Sequence, residues 1–98
     1  MAIILERARQ NPMPRAAMQY EAEETRLLVA LCRELQRENG SDPFYLSTTT
    51  VARLFNLGPN RMRPWRWLHG LVRDGGLELV EKGDPEARRA NRYRYLGD

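Results

Sequence analysis

The stretch STTTVARLFNLGPNRMRPWRWLHGLVR, residues 47–73, holds two helical patterns separated by a turn, and it decides the fold. Residues 48–56 are predicted to form the second of three helices. Ser47 suits the N-cap of this helix, because its side chain can accept a hydrogen bond from a free backbone amide. Residues 56–60 combine a glycine with a proline and predict a tight turn. Asn60 can cap a third helix that runs to the end of the stretch.

The third helix has one apolar side and one basic side. At about 100° per residue, four apolar residues lie within about 80° of Pro64. They are Trp67, Leu68, Leu71 and Val72. The residues on the far side are Met62, Arg63, Arg66, His69, Gly70 and Arg73. We expect Trp67 to anchor the core and Trp65, at the edge of the apolar side, to cover the junction with the segment that follows.

The residues before this unit predict an arm, a long helix and a strand. Residues 1–20 form the arm, because two prolines limit it to a short helix over about residues 3–10, and we expect it to pack on the domain or on a partner. In residues 21–38 apolar side chains recur at helical spacing, which predicts the first long helix. Its Cys32 falls within the apolar pattern and is expected to pack as a small hydrophobe. Residues 44–46 are apolar and rich in aromatic side chains, which predicts a short strand.

A hairpin is predicted after the third helix. Gly75 and its neighbouring glycine end the helix, and residues 77–81 alternate as a strand. Residues 93–96 form another strand, whose tyrosines are expected on the core side and whose arginine is expected on the other side. The loop between them, residues 82–92, is rich in arginine and suits contact with a polyanion better than packing.

This element order resembles the winged helix-turn-helix family over residues 22–96. The matching stretches are FYLSTTTVARLF (44–55), WRWLHGLVRDGGLELVEKG (65–83) and RYRYL (92–96). More narrowly, the chain is similar to winged-helix modules of phage and plasmid replication proteins, including modules attached to primase domains. The resemblance implies an α+β fold with a three-helix core and a C-terminal β-hairpin wing, occupying residues 21–98 behind the arm.

The resemblance also implies a module that binds duplex DNA in replication or transcription control. The third helix would enter the major groove, and its groove-facing residues by position are Asn60, Arg61, Arg63 and Arg66. The wing would lie on the backbone or the minor groove, with Arg88, Arg89 and Arg92 as its contacts. At the start of the second helix, Thr48, Thr49 and Thr50 could contact phosphate, although hydroxyls there are also common caps.

The arginines themselves favour an anionic partner. Arg61 and Arg63 lie near a helix N-terminus, where the helix dipole disfavours cations, so something else must favour them. Duplex DNA would do so, because arginine binds guanine O6 and N7 bidentately. The alternative is a solvated arginine face, but only Asp74 on this helix balances four arginines. For the wing the alternative is a surface loop that its own acids partly neutralise.

Pro64 leaves two starting points for the third helix open. If Asn60 is the cap, Pro64 removes one early backbone hydrogen bond. If the helix begins at Pro64, the ring is well tolerated, and Arg61 and Arg63 lie in the turn. These arginines would then grip the DNA backbone rather than read bases.

The charge distribution agrees with a basic C-terminal half. The chain carries a formal net charge of +3. Residues 47–98 hold ten basic and six acidic side chains, a net charge of +4, whereas residues 1–46 hold six and seven, a net charge of −1. The positive field therefore belongs to the half that contains the third helix and the hairpin.

Enzymatic chemistry has no support in the sequence. The single histidine and the single cysteine fall on different predicted helices, and no pattern suggests a metal site or a nucleophile with its base. We expect no catalysis, no metal, no cofactor and no small-molecule substrate. No apolar stretch approaches the roughly 20 residues of a membrane span, and no secretory leader is evident, so we expect a cytoplasmic protein without a membrane partner.

The main alternative is a module for protein interaction or dimerisation. The amphipathic first helix and the apolar start of the arm could form a homodimer, or could dock onto a replication or regulatory protein. RNA binding is a third possibility, but no aromatic stacking platform of the usual kind is evident.

Overall fold

The computed structural model describes residues 1–84, 86 and 89–97, and Arg88 lies outside the described residues. The described residues form an α+β fold of four α-helices and a three-stranded antiparallel sheet. The helices are α1 (Ala2–Gln10), α2 (Glu23–Asn39), α3 (Thr48–Leu54) and α4 (Met62–Arg73), with a 3₁₀ helix at Arg15–Gln19. The strands are β1 (Phe44–Tyr45), β2 (Leu77–Glu81) and β3 (Arg92–Tyr95). Helices α2, α3 and α4 are the three predicted helices.

Helix α2 crosses the centre of the core. Its residues Leu28, Leu31 and Cys32 are fully buried, as the helical spacing predicts. Burial of one leucine side chain contributes about 1.5–3 kcal/mol to folding. Burial also raises the pKa of the Cys32 thiol to about 12, so this residue stays protonated and packs as a hydrophobe. The same core contains Leu46, which follows β1, together with Val51 of α3, Leu68 and Leu71 of α4, and Leu77 of β2.

The first 20 residues pack against α2. Leu5 of α1 and Ala17 of the 3₁₀ helix are buried in the same core as α2. Polar contacts fix this packing, since Asn11 donates a hydrogen bond to the carboxylate of Glu34, which is only 1% exposed. Arg33 donates to the carbonyl oxygen of Pro12 at 2.6 Å. The segment predicted as an arm thus contributes side chains to the main core.

The strands pair in the order β1-β3-β2, so β3 lies in the middle of the sheet. Tyr93 pairs with Phe44 of β1 on one side and with Leu79 of β2 on the other. Tyr93 is buried and its ring lies 6.3 Å from that of Phe44, which confirms the expectation that the tyrosines face the core. The strand begins at Arg92, one residue before the predicted start, because Arg92 pairs with Tyr45.

The connection from α3 to α4 has the predicted turn. Ser47 caps α3, because its Oγ accepts a hydrogen bond from the amide of Thr50 at 3.0 Å. After α3 the chain reverses through two residues with positive φ, Asn56 at 55° and Gly58 at 64°. Left-handed backbone of this kind favours glycine and tolerates asparagine, which explains the residue types in the turn.

Candidate nucleic-acid interface

The start of α4 accommodates Pro64 without loss of a hydrogen bond. Asn60 Oδ1 accepts bonds from the amides of Met62 at 3.0 Å and Arg63 at 3.2 Å, and the first backbone bond of the helix ends on the carbonyl oxygen of Arg61. Pro64 is therefore the third helical residue, where an amide has no partner within the helix. The helix therefore follows neither predicted starting point: its N-cap residue is Arg61, one position after Asn60, and its first residue is Met62, two positions before Pro64. Asn60 contributes only its side-chain oxygen, which satisfies two free amides of the first turn.

The outward side of α4 is exposed and basic, while Pro64, Leu68 and Leu71 are buried on the opposite side. This division is the one that the helical spacing predicts. Arg73 forms an ion pair with its neighbour Asp74 at 3.3 Å. Arg66, on the same side, makes no hydrogen bond or ion pair with any residue that the structure describes. Its guanidinium is therefore available to an external anion.

Arg63 is tied to α2. Its Nη2 lies 2.9 Å from Glu24 Oε1, and its guanidinium lies 5.3 Å from the centre of the Trp67 ring. Both side chains of the ion pair are about half exposed, at 49% and 44%. Arg63 thus lies at that edge of the basic side which is nearest to α2. Its partner Glu24 was not predicted from the sequence, because the helical spacing of α2 does not show which residues of α4 lie beside it.

A cleft of about 360 Å³, here called the turn cleft, lies beside the connection from α3 to α4. Its lining is Thr49, Ala52, Arg53, Asn56, Gly58 and Arg61. The structure therefore brings together two predicted site residues, Thr49 and Arg61, whose Nη1 also donates to the Gly58 carbonyl at 3.2 Å. Arg53 was not among the predicted site residues, although its spacing of four from Thr49 places both on one side of α3.

A second cleft, here called the hairpin groove, lies between α4, the start of α3 and the β2–β3 hairpin. Its volume is about 350 Å³. Its lining is Leu46, Ser47, Thr48, Trp65, Lys82, Gly83, Arg89, Ala90, Asn91 and Tyr93. Thr48 is thus separated from Thr49, since the two line different clefts. Trp65 occupies the predicted junction between the helix and the hairpin. Lys82 also lines this groove, although it was not among the predicted site residues.

Arg92 lies in the sheet and not in the loop, where it was predicted. It is the first residue of β3, and its guanidinium lies 5.3 Å from the centre of the Tyr45 ring. Its Nε is buried and has no hydrogen-bond partner among the described residues. Arg92 pairs with Tyr45 of β1 and so belongs to the sheet. Of the three predicted wing contacts, Arg89 is therefore the one that the structure describes in the loop of the hairpin.

The acid at the end of α4 is held by the N-terminal segment. The Tyr20 hydroxyl donates a hydrogen bond to Asp74 Oδ2 at 2.8 Å. This bond lowers the pKa of the Asp74 carboxyl, and the adjacent Arg73 lowers it further. Burial and the Asp74 carboxylate raise the pKa of Tyr20. Asp74 is therefore ionised at neutral pH and is occupied by Tyr20 and Arg73.

No protein-family model, curated protein or solved structure matches this chain.

The described part of the chain shows neither a metal site of clustered ligands nor a membrane-spanning helix. Among residues 1–84, 86 and 89–97, no group of three or more His, Cys, Asp or Glu side chains is placed to hold a metal ion. None of the helices in these residues combines the length and the apolar character needed to cross a membrane.

Proposed function

We propose that this chain is a winged helix-turn-helix module that binds duplex DNA. In this proposal α4 enters the major groove, and the β2–β3 hairpin is the wing, which contacts the backbone or the minor groove. The order of helices and strands supports the proposal, because from α2 onward it is the order that was predicted from the sequence and that resembles this family. Replication or transcription control in the cytoplasm is the corresponding biological role.

The exposed basic side of α4 is the observation that carries the proposal. Arg66 stands there without a described partner, and cations line the clefts on both flanks of the helix start. Arg53 and Arg61 line the turn cleft, and Lys82 and Arg89 line the hairpin groove. Positive side chains on adjoining surfaces match the phosphate backbone of a duplex, which supplies most of the affinity in nonspecific binding.

The geometry suggests different roles for these residues. Arg66 projects from the middle of the outward side, where an arginine can form a bidentate pair with guanine. Arg61 precedes the helix and lies in a cleft, a position that suits a phosphate contact. Asn60 uses its side-chain oxygen to cap α4, so its contribution is to hold the start of the helix in place.

The test is a titration of labelled duplexes of randomised sequence at several salt concentrations. Wild type should bind with a log–log salt slope near −4 to −6, which corresponds to about five phosphate contacts. Arg66→Ala should weaken binding to a selected site by about five- to 100-fold. Arg7→Ala is the matched control, because it removes an exposed arginine of α1 that pairs with Glu38.

Two results would contradict the proposal. One is absence of wild-type binding at about 50 mM salt, where phosphate contacts are strong. The other is equal loss of affinity in Arg66→Ala and Arg7→Ala, which would indicate a general charge effect. A protein partner would then be the better hypothesis, because Ile3 of α1 is an apolar side chain that is 76% exposed.

A further inference from the structure

Trp65 and His69 form a stacked pair beside the hairpin groove. Their ring centres are 4.6 Å apart and their planes differ by 17°. Trp65 remains 49% exposed, whereas Trp67 packs edge-on against Phe55 at 5.6 Å. The stack with His69 holds one exposed indole in a fixed orientation, so its free surface is presented to the groove at little cost in side-chain entropy.

The groove continues past this pair. A smaller cleft of about 90 Å³ shares Trp65, Asn91 and Tyr93 with the hairpin groove and adds His69 and Leu79 to the lining. Leu79 is 42% exposed, so the continuation has an apolar wall. The described lining of the two clefts includes cations but no aspartate or glutamate. An elongated partner that alternates apolar and anionic units matches such a groove.

We infer that the hairpin groove holds one sugar–phosphate strand of the bound duplex, with the Trp65 indole packed against a deoxyribose. Lys82 and Arg89, which line the same groove, contact the phosphates on either side of that sugar. Trp65 adds apolar contact, while the two cations supply the electrostatic attraction. This inference rests on the proposed function and assigns to Trp65 a binding role that its place at the edge of the core did not indicate.

The experiment compares salt-dependent affinities of Trp65→Ala, Lys82→Ala and Arg89→Ala for one duplex. Trp65→Ala should weaken binding by about five- to tenfold, the range of a lost aromatic contact, and Trp65→Phe should recover part of this loss. Because indole carries no charge, the salt slope of Trp65→Ala should equal that of wild type. Each cation variant should reduce the slope by about 0.9. Met18→Ala removes an apolar side chain that is 57% exposed and is the control, with unchanged affinity.

A second readout is the indole N–H signal of Trp65 in NMR spectra, assigned by its loss in Trp65→Phe. The duplex should shift this signal. The circular dichroism spectra of the free variants should equal that of free wild type, which shows that the substitutions leave the fold intact. If wild type binds and Arg66→Ala weakens binding, but Trp65→Ala binds normally and the Trp65 signal does not move, the inference about the groove is wrong and the proposed function stands. If wild type binds no duplex, the proposed function fails and the inference fails with it.

Discussion

If the chain binds duplex DNA as proposed, replacement of Glu24 by glutamine should strengthen this binding. The Glu24 carboxylate holds Arg63 at 2.9 Å, at the edge of the basic side of α4. Glutamine removes a charge that repels phosphate and releases Arg63 for a contact of its own. One such charge contact in water is worth about 1 kcal/mol, which corresponds to about a fivefold gain in affinity. Because both side chains are about half exposed, loss of their ion pair should lower the free energy of unfolding by less than about 1 kcal/mol.

The assay is fluorescence anisotropy with one labelled duplex, repeated at several salt concentrations. A new phosphate contact should steepen the salt slope by about 0.9. Glu38→Gln is the matched control, because it breaks the ion pair with Arg7, which has the same 2.9 Å length and similar exposure. Glu38 lies at the opposite end of α2, so this variant should bind as wild type does. Unchanged or weaker binding by Glu24→Gln, or an equal gain in Glu38→Gln, would refute the reasoning.

Three other substitutions test the packing around the site. Leu5→Ala should lower the free energy of unfolding in urea by about 2–4 kcal/mol, because Leu5 is buried in the main core; an independent arm would leave the urea midpoint unchanged. Gly83→Ala should destabilise the hairpin and weaken DNA binding, since a Cβ at this position would lie 2.2 Å from the Arg89 carbonyl oxygen; normal chemical shifts at Arg89 would contradict this. Tyr20→Phe should raise the pKa of Asp74 in an NMR titration, because it removes the hydroxyl that lowers this pKa in wild type. Because the pKa of Asp74 is lower in the folded than in the unfolded state, its carboxylate adds to the free energy of unfolding above about pH 4, and this contribution is lost as the pH falls further. The variant should therefore lose less of its free energy of unfolding on acidification than wild type does.

The helices of this fold are predictable because their signals are local. The spacing of apolar residues in α2 and α4 and the side chain of Ser47 lie within a few positions of the structure that they determine. The position of the N-terminal segment is not local. Glu34 carries a charge that normally marks a solvated side of a helix, and its burial depends on Asn11, which is 23 positions away. The start of β3 at Arg92 likewise depends on a distant partner in β1.

The candidate site divides in the same way. The exposure of Arg66 follows from helical geometry alone. The ion pair of Arg63 joins residues 39 positions apart and requires knowledge of how α2 and α4 pack. The separation of Thr48 from Thr49 follows from the turn of about 100° between neighbouring helical residues, but the identity of each cleft depends on the hairpin and on the loop after α3.

The place of β3 between two earlier strands has a consequence for the order of folding. Its pairing with β2 closes only the hairpin loop, whereas its pairing with β1 must close a loop that also contains α3 and α4. Loop closure costs about 0.6 kcal/mol more for each doubling of loop length, so the hairpin should form first. Docking of β1 is then a late step of folding, and it leaves both ends of the segment that contains α3 and α4 attached to one strand. Hydrogen exchange at the amides of β1 and α3 should therefore report a common opening event.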